Sequence, residues 1–346
     1  MAAPTAVPPL QMPFVDLILP YRSLSIVGME KNTGKTVCLN YLLRRLHERG
    51  TTVAVTSVGI DGEQVDSVYA TAKPEITLYE GTRFITSELH YRQRRLVSKI
   101  TAVDPQRTAL GALVTAEVLC RGKAILSGAA TTATLRRQID SFEASGIPLT
   151  LVDGALSRLS LASPTVTDAL VLATGAAVSA NLQQLVSKTR FVCRLVGLPA
   201  VNPTLGGQLT HLSSGVWCID SEDRCHDTGF ASALLVGSQT ADLFRHGNRL
   251  FLPGMVSDRL LRQIATLPQI KDITLIARDF TKLFITPETY ADYCRRGGKL
   301  AVLQQSHLTA VCLNPTSPQG YRLDSQRACA ALSEALELPV YDVMKI

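Results

Sequence analysis

The segment from Ser23 to Gly50 restricts this chain more than any other. Residues 23–27 form a short apolar run of strand character, which ends at Gly28, and Gly34-Lys35-Thr36 follows a few residues later. Leu39, Leu42, Leu43 and Leu46 then recur at spacings of three and four, with Arg44, Arg45, Glu48 and Arg49 between them. That pattern predicts an amphipathic helix, and Gly50 closes it. Residues 51–58 are β-branched and read as a buried strand. Strand, loop, helix and strand make a βαβ unit with a right-handed crossover, so the expected class is α/β.

The loop itself reads Gly28-Met29-Glu30-Lys31-Asn32-Thr33-Gly34-Lys35-Thr36. Successive backbone N–H groups in such a loop wrap a polyphosphate, and the helix N-terminus that follows adds a favourable dipole. The expected nucleotide-binding residues are Gly28, Glu30, Lys31, Asn32, Thr33, Gly34, Lys35, Thr36 and Val37. Lys35 would reach the outer phosphates and the Thr36 hydroxyl would hold Mg²⁺. The spacing departs from G-x-x-x-x-G-K-[ST]: Met29 stands at the first glycine position, with Gly28 one residue earlier. Lys31 reads as a solvated loop residue.

Carboxylates are the second requirement. Asp153 follows Leu149-Thr150-Leu151-Val152, the most apolar candidate strand, so a parallel strand beside the first would deliver its carboxylate to Mg²⁺. Gly154 would then permit close approach to the γ-phosphate; the alternative is a plain Asp-Gly turn. Asp61-Gly62-Glu63 follows the second strand, where ligands of open α/β folds collect. Asp61 and Glu63 could orient water or metal, with Asp66 a weaker addition, or the segment could be a turn. Ala129-Ala130-Thr131-Thr132 could line a phosphate or second-substrate site, or cap a helix.

Elsewhere the sequence predicts a β-rich insertion over 75–127, a helix over 134–144, and strands over 149–152, 169–172 and 191–196. After a polar, turn-rich stretch at 202–229, alternation resumes. The later elements are strands at 233–236, 250–251, 273–276, 300–303 and 310–313, and helices at 257–266, 287–296 and 325–336. The expected division is an N-terminal segment 1–20, a P-loop domain 21–228 and a C-terminal α/β block 229–346. The expected fold is therefore P-loop NTPase-like, with a mostly parallel sheet and helices on both faces.

Composition narrows the function classes. With 346 residues, 46% hydrophobic and 18% charged, the chain is globular and long enough for about two domains. The longest uncharged stretch, 169–180, is interrupted by Thr174, Gly175 and Ser179, so no membrane span is expected. A net charge of +6 is modest, and no aromatic-interleaved basic run accompanies Arg92-Gln93-Arg94-Arg95, which argues against nucleic acid. The first twenty residues or so lack a basic region followed by a continuous apolar core, so the expected location is cytoplasmic. The 8 cysteines are widely spaced with no C-x-x-C pair. Cys218, Cys225 and His226 could supply metal ligands, but their spacing matches no common site.

The displaced glycine resembles the loops of the dethiobiotin synthetase and cobyrinate amidoligase branch of P-loop proteins. More broadly, residues 25–36, Thr56-Ser57-Val58-Gly59-Ile60-Asp61-Gly62-Glu63, Val152-Asp153-Gly154-Ala155-Leu156-Ser157-Arg158, Val166-Thr167-Asp168-Ala169, Ala173-Thr174-Gly175-Ala176-Ala177 and Asn314-Pro315-Thr316-Ser317-Pro318-Gln319-Gly320-Tyr321 resemble the first subunit of lysine 5,6-aminomutase reactivases. The resemblance implies an ATP- and Mg²⁺-dependent factor that releases damaged cobalamin from a cobalamin-dependent lysine aminomutase. It also implies a second subunit similar to the ATPase domain of MutS proteins. The alternatives are a carboxylate ligase of the dethiobiotin synthetase type, whose Lys-Pro motif after the second strand is absent here, and a regulatory subunit that binds nucleotide without turning it over.

Overall fold

The computed structural model describes residues 12–58, 75–108, 110–155, 163–237 and 240–346. A one-turn helix α1 (Val15–Ile18) precedes β1 (Ser23–Gly28), which is buried along its whole length. A strand with no polar face needs cover on both sides, which a parallel sheet between two helical layers supplies. β1 pairs in parallel with β7 (Leu149–Ala155) on one side and β8 (Ala169–Gly175) on the other. From β7 the parallel run continues through β2 (Val53–Ser57) to β4 (Arg83–Ser87). From β8 it continues through β16 (His307–Asn314) to β17 (Val340–Asp342).

Beyond β4 the sheet turns antiparallel. β6 (Gly111–Ala124) pairs with β4, with β3 (Ile76–Leu78) and with the long β5 (Arg95–Thr108). The result is a 10-stranded sheet, large and mostly parallel, with the β-rich insertion at one edge. The period-two alternation of strands sorts its side chains between two layers. Leu24 and Ile26 of β1, Leu149 and Leu151 of β7 and Val171 of β8 face α2 (Lys35–Glu48), which lays Leu39, Leu42, Leu43 and Leu46 on them. Val27, Leu170 and Leu172 face the opposite way, toward Leu195 and Val196 of α5 (Leu182–Val196). On that same side α4 (Thr132–Ala144) packs Leu135 and Ile139 on Val152. Helices therefore cover both faces.

A second sheet is inserted between β8 and β16. Its order is β10 (Cys225–Asp227), β9 (Trp217–Ile219), β11 (Arg249–Leu252), β13 (Thr274–Ala277) and β15 (Lys299–Val302). The last three strands are parallel, with α7 (Asp258–Ile264) and α8 (Pro287–Arg295) between them in the chain. A short parallel pair joins β12 (Val256–Ser257) to β14 (Leu283–Phe284). One continuous core links Val27 and Leu172 of the large sheet to Leu250 and Leu275 of the small one. Sheet membership cuts across the expected division at 228/229, because β9 and β10 belong to the small sheet while β16 and β17 rejoin the large one.

Three local expectations are corrected. Residues 191–196 are the last turns of α5, not a strand: Phe191-Val192-Cys193 has β propensity, but the apolar period set by Leu182, Leu185 and Val186 carries through it. Residues 233–235 form a 3₁₀ turn capped by Ser232. The stretch 202–229 holds α6 (Pro203–Thr210), capped by Asn202, as well as β9 and β10. The remaining helices are α3 (Glu88–Arg92) and α9 (Ser325–Leu336). Among the described residues, no helix is long and apolar enough to cross a membrane.

Candidate functional site

The loop between β1 and α2 is shaped by two residues in the left-handed region, Asn32 at φ 63° and Gly34 at φ 91°. Left-handed residues among right-handed ones turn successive N–H groups toward one side, the geometry of an anion-binding concavity. The loop is fixed at its start, where Met29 N donates to Ala173 O of β8 at 2.9 Å. Internally, the buried Thr33 donates its hydroxyl to Glu30 O at 2.9 Å. Helix α2 begins at Lys35 directly after Gly34, so its N-terminal dipole opens onto the same space.

Gly28 is required by packing. A Cβ there would lie 2.5 Å from Thr33 Oγ1 and 2.7 Å from Lys35 Cδ, so only glycine lets the lysine fold back over the end of β1. The Lys35 ammonium thereby comes within 3.5 Å of Glu30 O. Burial lowers its pKa, and the nearby carboxylates of Asp153 and then Glu30 act against that shift. Asp153 stands level with Ile26 of β1 and Ser57 of β2, and Gly154 with Val27. The expected carboxylate at the end of β7 and the expected lysine at the start of α2, the helix that follows the adjacent strand β1, are thus close enough to interact.

Thr36 is half-buried in the first turn of α2, whereas Glu30, Lys31, Asn32 and Val37 are exposed. Asp61, Glu63 and Asp66 lie outside the described residues. Thr131 is the N-cap of α4 and accepts from Thr134 N at 3.2 Å, which is the capping alternative for that segment. Cys218 and His226 are opposed in the β9–β10 pair, and His226 Nε2 bonds Asp220 Oδ2 at 2.9 Å. Among the described residues no group of three or more such side chains is arranged to hold a metal ion.

Sequence reasoning missed one contributor to this site. Asn314, the last residue of β16, donates from Nδ2 to Asn32 O at 2.8 Å and accepts from Thr316 N at 3.1 Å. Its side chain also packs under Gly34, as does Val343 just after β17. The loop is therefore braced by strands that arrive at the far end of the chain. An Asn-Pro pair closing a buried strand was the available signal. No protein-family model matches this chain, and neither does any curated protein or solved structure.

Proposed function

We propose that this protein binds Mg·ATP at the loop 28–37 and hydrolyses it as the ATPase subunit of a reactivase for a cobalamin-dependent lysine aminomutase. The observation that carries the nucleotide part is the half-buried Lys35, drawn toward Asp153 beneath a loop with two left-handed residues. A positive charge in a partly desolvated concavity calls for an anion, and a polyphosphate supplies one.

The Thr36 hydroxyl and the Asp153 carboxylate are hard oxygen donors of the kind Mg²⁺ takes, directly or through water. The ion would supply charge neutralisation on the outer phosphates. Lys35 would balance the charge that develops as the γ-phosphoryl group passes to water, and the loop N–H groups would hold the transferred group in line.

The reactivase part rests on the resemblance of six segments spread over the chain. In mechanical terms, ATP would favour one conformation of this subunit and its MutS-like companion, that conformation would open the mutase, and hydrolysis would reset it. The test is release of damaged cobalamin from an inactivated lysine aminomutase with Mg·ATP, this protein and the companion, with Lys35→Ala as the blank. Lysine-dependent activity restored only with ATP and an intact Lys35 supports the proposal. ATP turnover stimulated by a small carboxylate instead, or tight ATP binding without turnover, would overturn it in favour of a ligase or a regulatory subunit.

A further inference from the structure

At the opposite end of β16 from Asn314, a cavity of about 540 Å³ opens between α5 and α9. Its volume falls in the range of small-molecule sites. One wall is α5, where the exposed Arg190 and Arg194 stand one turn apart; both also border the neighbouring cavity against α8, where the Arg194 charge acts on Tyr290 and Cys294. Glu337, in the left-handed region just past the end of α9, lines the other side. Cys193, Leu308 and Leu336 supply apolar lining.

The arrangement of charge is unusual. Among the described residues neither guanidinium is in ion-pair or hydrogen-bond contact with a carboxylate, Glu337 included. Two like charges one turn apart on a helix repel each other, and opposite charges that share a cavity normally close on one another. The carbonyl end of α9 lies at Glu337 and adds negative character there, whereas that of α5 lies at Arg194 in its own last turn. The Cys193 thiol is held protonated, burial pushing it up to about 12, so the cavity binds without offering a nucleophile.

We propose that this cavity binds a small zwitterion of the amino-acid class. Its carboxylate lies in the fork of Arg190 and Arg194, its ammonium lies against Glu337 and the α9 carbonyl end, and its side chain lies on the apolar lining. Guanidinium pairs match carboxylates in bidentate geometry, and an ammonium is the natural partner of a helix C-terminus. The site is separate from the phosphate loop and does not rest on the nucleotide reading.

The experiment is calorimetric titration of the full chain with each standard L-amino acid, repeated with the N-acetyl and amide derivatives of any that bind. The titrations are run on wild type, Arg190→Ala/Arg194→Ala and Glu337→Gln, with circular dichroism to establish that the variants fold. The expected result is saturable binding of a free amino acid, weakened about tenfold or more by either variant and by either derivative. Absence of saturable binding to every amino acid overturns the proposal. So does an N-acetyl derivative that binds as tightly as its parent, or an affinity unchanged in both variants.

Discussion

Asn314 Nδ2 donates to Asn32 O at 2.8 Å across 282 residues of sequence. This bond fastens a left-handed residue of the 28–37 loop to the end of β16. Asn314→Ala removes the donor and the acceptor for Thr316 N together. Urea denaturation is expected to show a loss of about 1 kcal/mol, and nucleotide titration a weaker affinity. Unchanged values in both would remove the bracing role.

On the proposed function, Lys35 and Asp153 would make separable contributions. Lys35→Ala is expected to remove most Mg·ATP affinity. Asp153→Asn is expected to leave the fold intact and cut hydrolysis at least tenfold, ~1.4 kcal/mol of transition-state stabilisation. Full turnover in both variants would sink the proposed site.

The lowered pKa of Lys35 has a pH signature in the nucleotide-free protein. Between its folded value and the unfolded value of 10.5 the unfolded chain binds more protons, so stability rises with pH across that window. The penalty for holding a buried ammonium is fully present below the folded pKa and fades above it. Subtracting the stability profile of Lys35→Met should isolate this slope. A difference that falls with alkaline pH would contradict the burial of the charge.

Gly28→Ala tests whether the lysine's position depends on the missing Cβ. The added methyl would meet Thr33 Oγ1 at 2.5 Å, whereas a Cβ at Gly207 of α6 meets nothing within 4 Å. Nucleotide binding is expected to fail in Gly28→Ala and to persist in Gly207→Ala, with both proteins folded by circular dichroism.

Asp279 is fully buried and accepts from Thr281 N at 2.9 Å and from Ser163 Oγ at 2.8 Å. It ties the end of β13 to the chain leading into β8. Asp279→Ala takes the acceptor from Thr281 N and the Thr281 hydroxyl in the interior, while Ser163 Oγ keeps Thr165 Oγ1, and is expected to cost about 2–3 kcal/mol, measured by chemical denaturation.

Much of the parallel sheet was legible because its strands are short, apolar and bounded by glycine or polar turns, as in Leu149–Ala155. Helices α2 and α9 were legible from the leucine and alanine period along one face. The 14-residue strands β5 and β6 were legible only in part: Lys99, Arg121 and Lys123 are solvent-facing, and their pairing is broken by bulges that erase alternation. In β10, Cys225-His226-Asp227 has no apolar pattern, and its strand state comes from pairing with β9. At the candidate site, Lys35 and Asp153 stood out in the sequence because each belongs to a local motif. Asn314 acts on the loop only through the parallel order β16-β8-β1, which no local window contains.

That order also bears on how the molecule is made. Lys35 and Asp153 leave the ribosome well before Asn314 and Val343, which pack against Gly34. Until β16 arrives, β8 presents an open strand edge and the 28–37 loop lacks its brace. Nascent chains halted before residue 307 should therefore be the species that chaperones engage. On the proposed reading, nucleotide affinity would then appear only once synthesis has passed Val343, so the loop would be competent only after both flanking strands are in place.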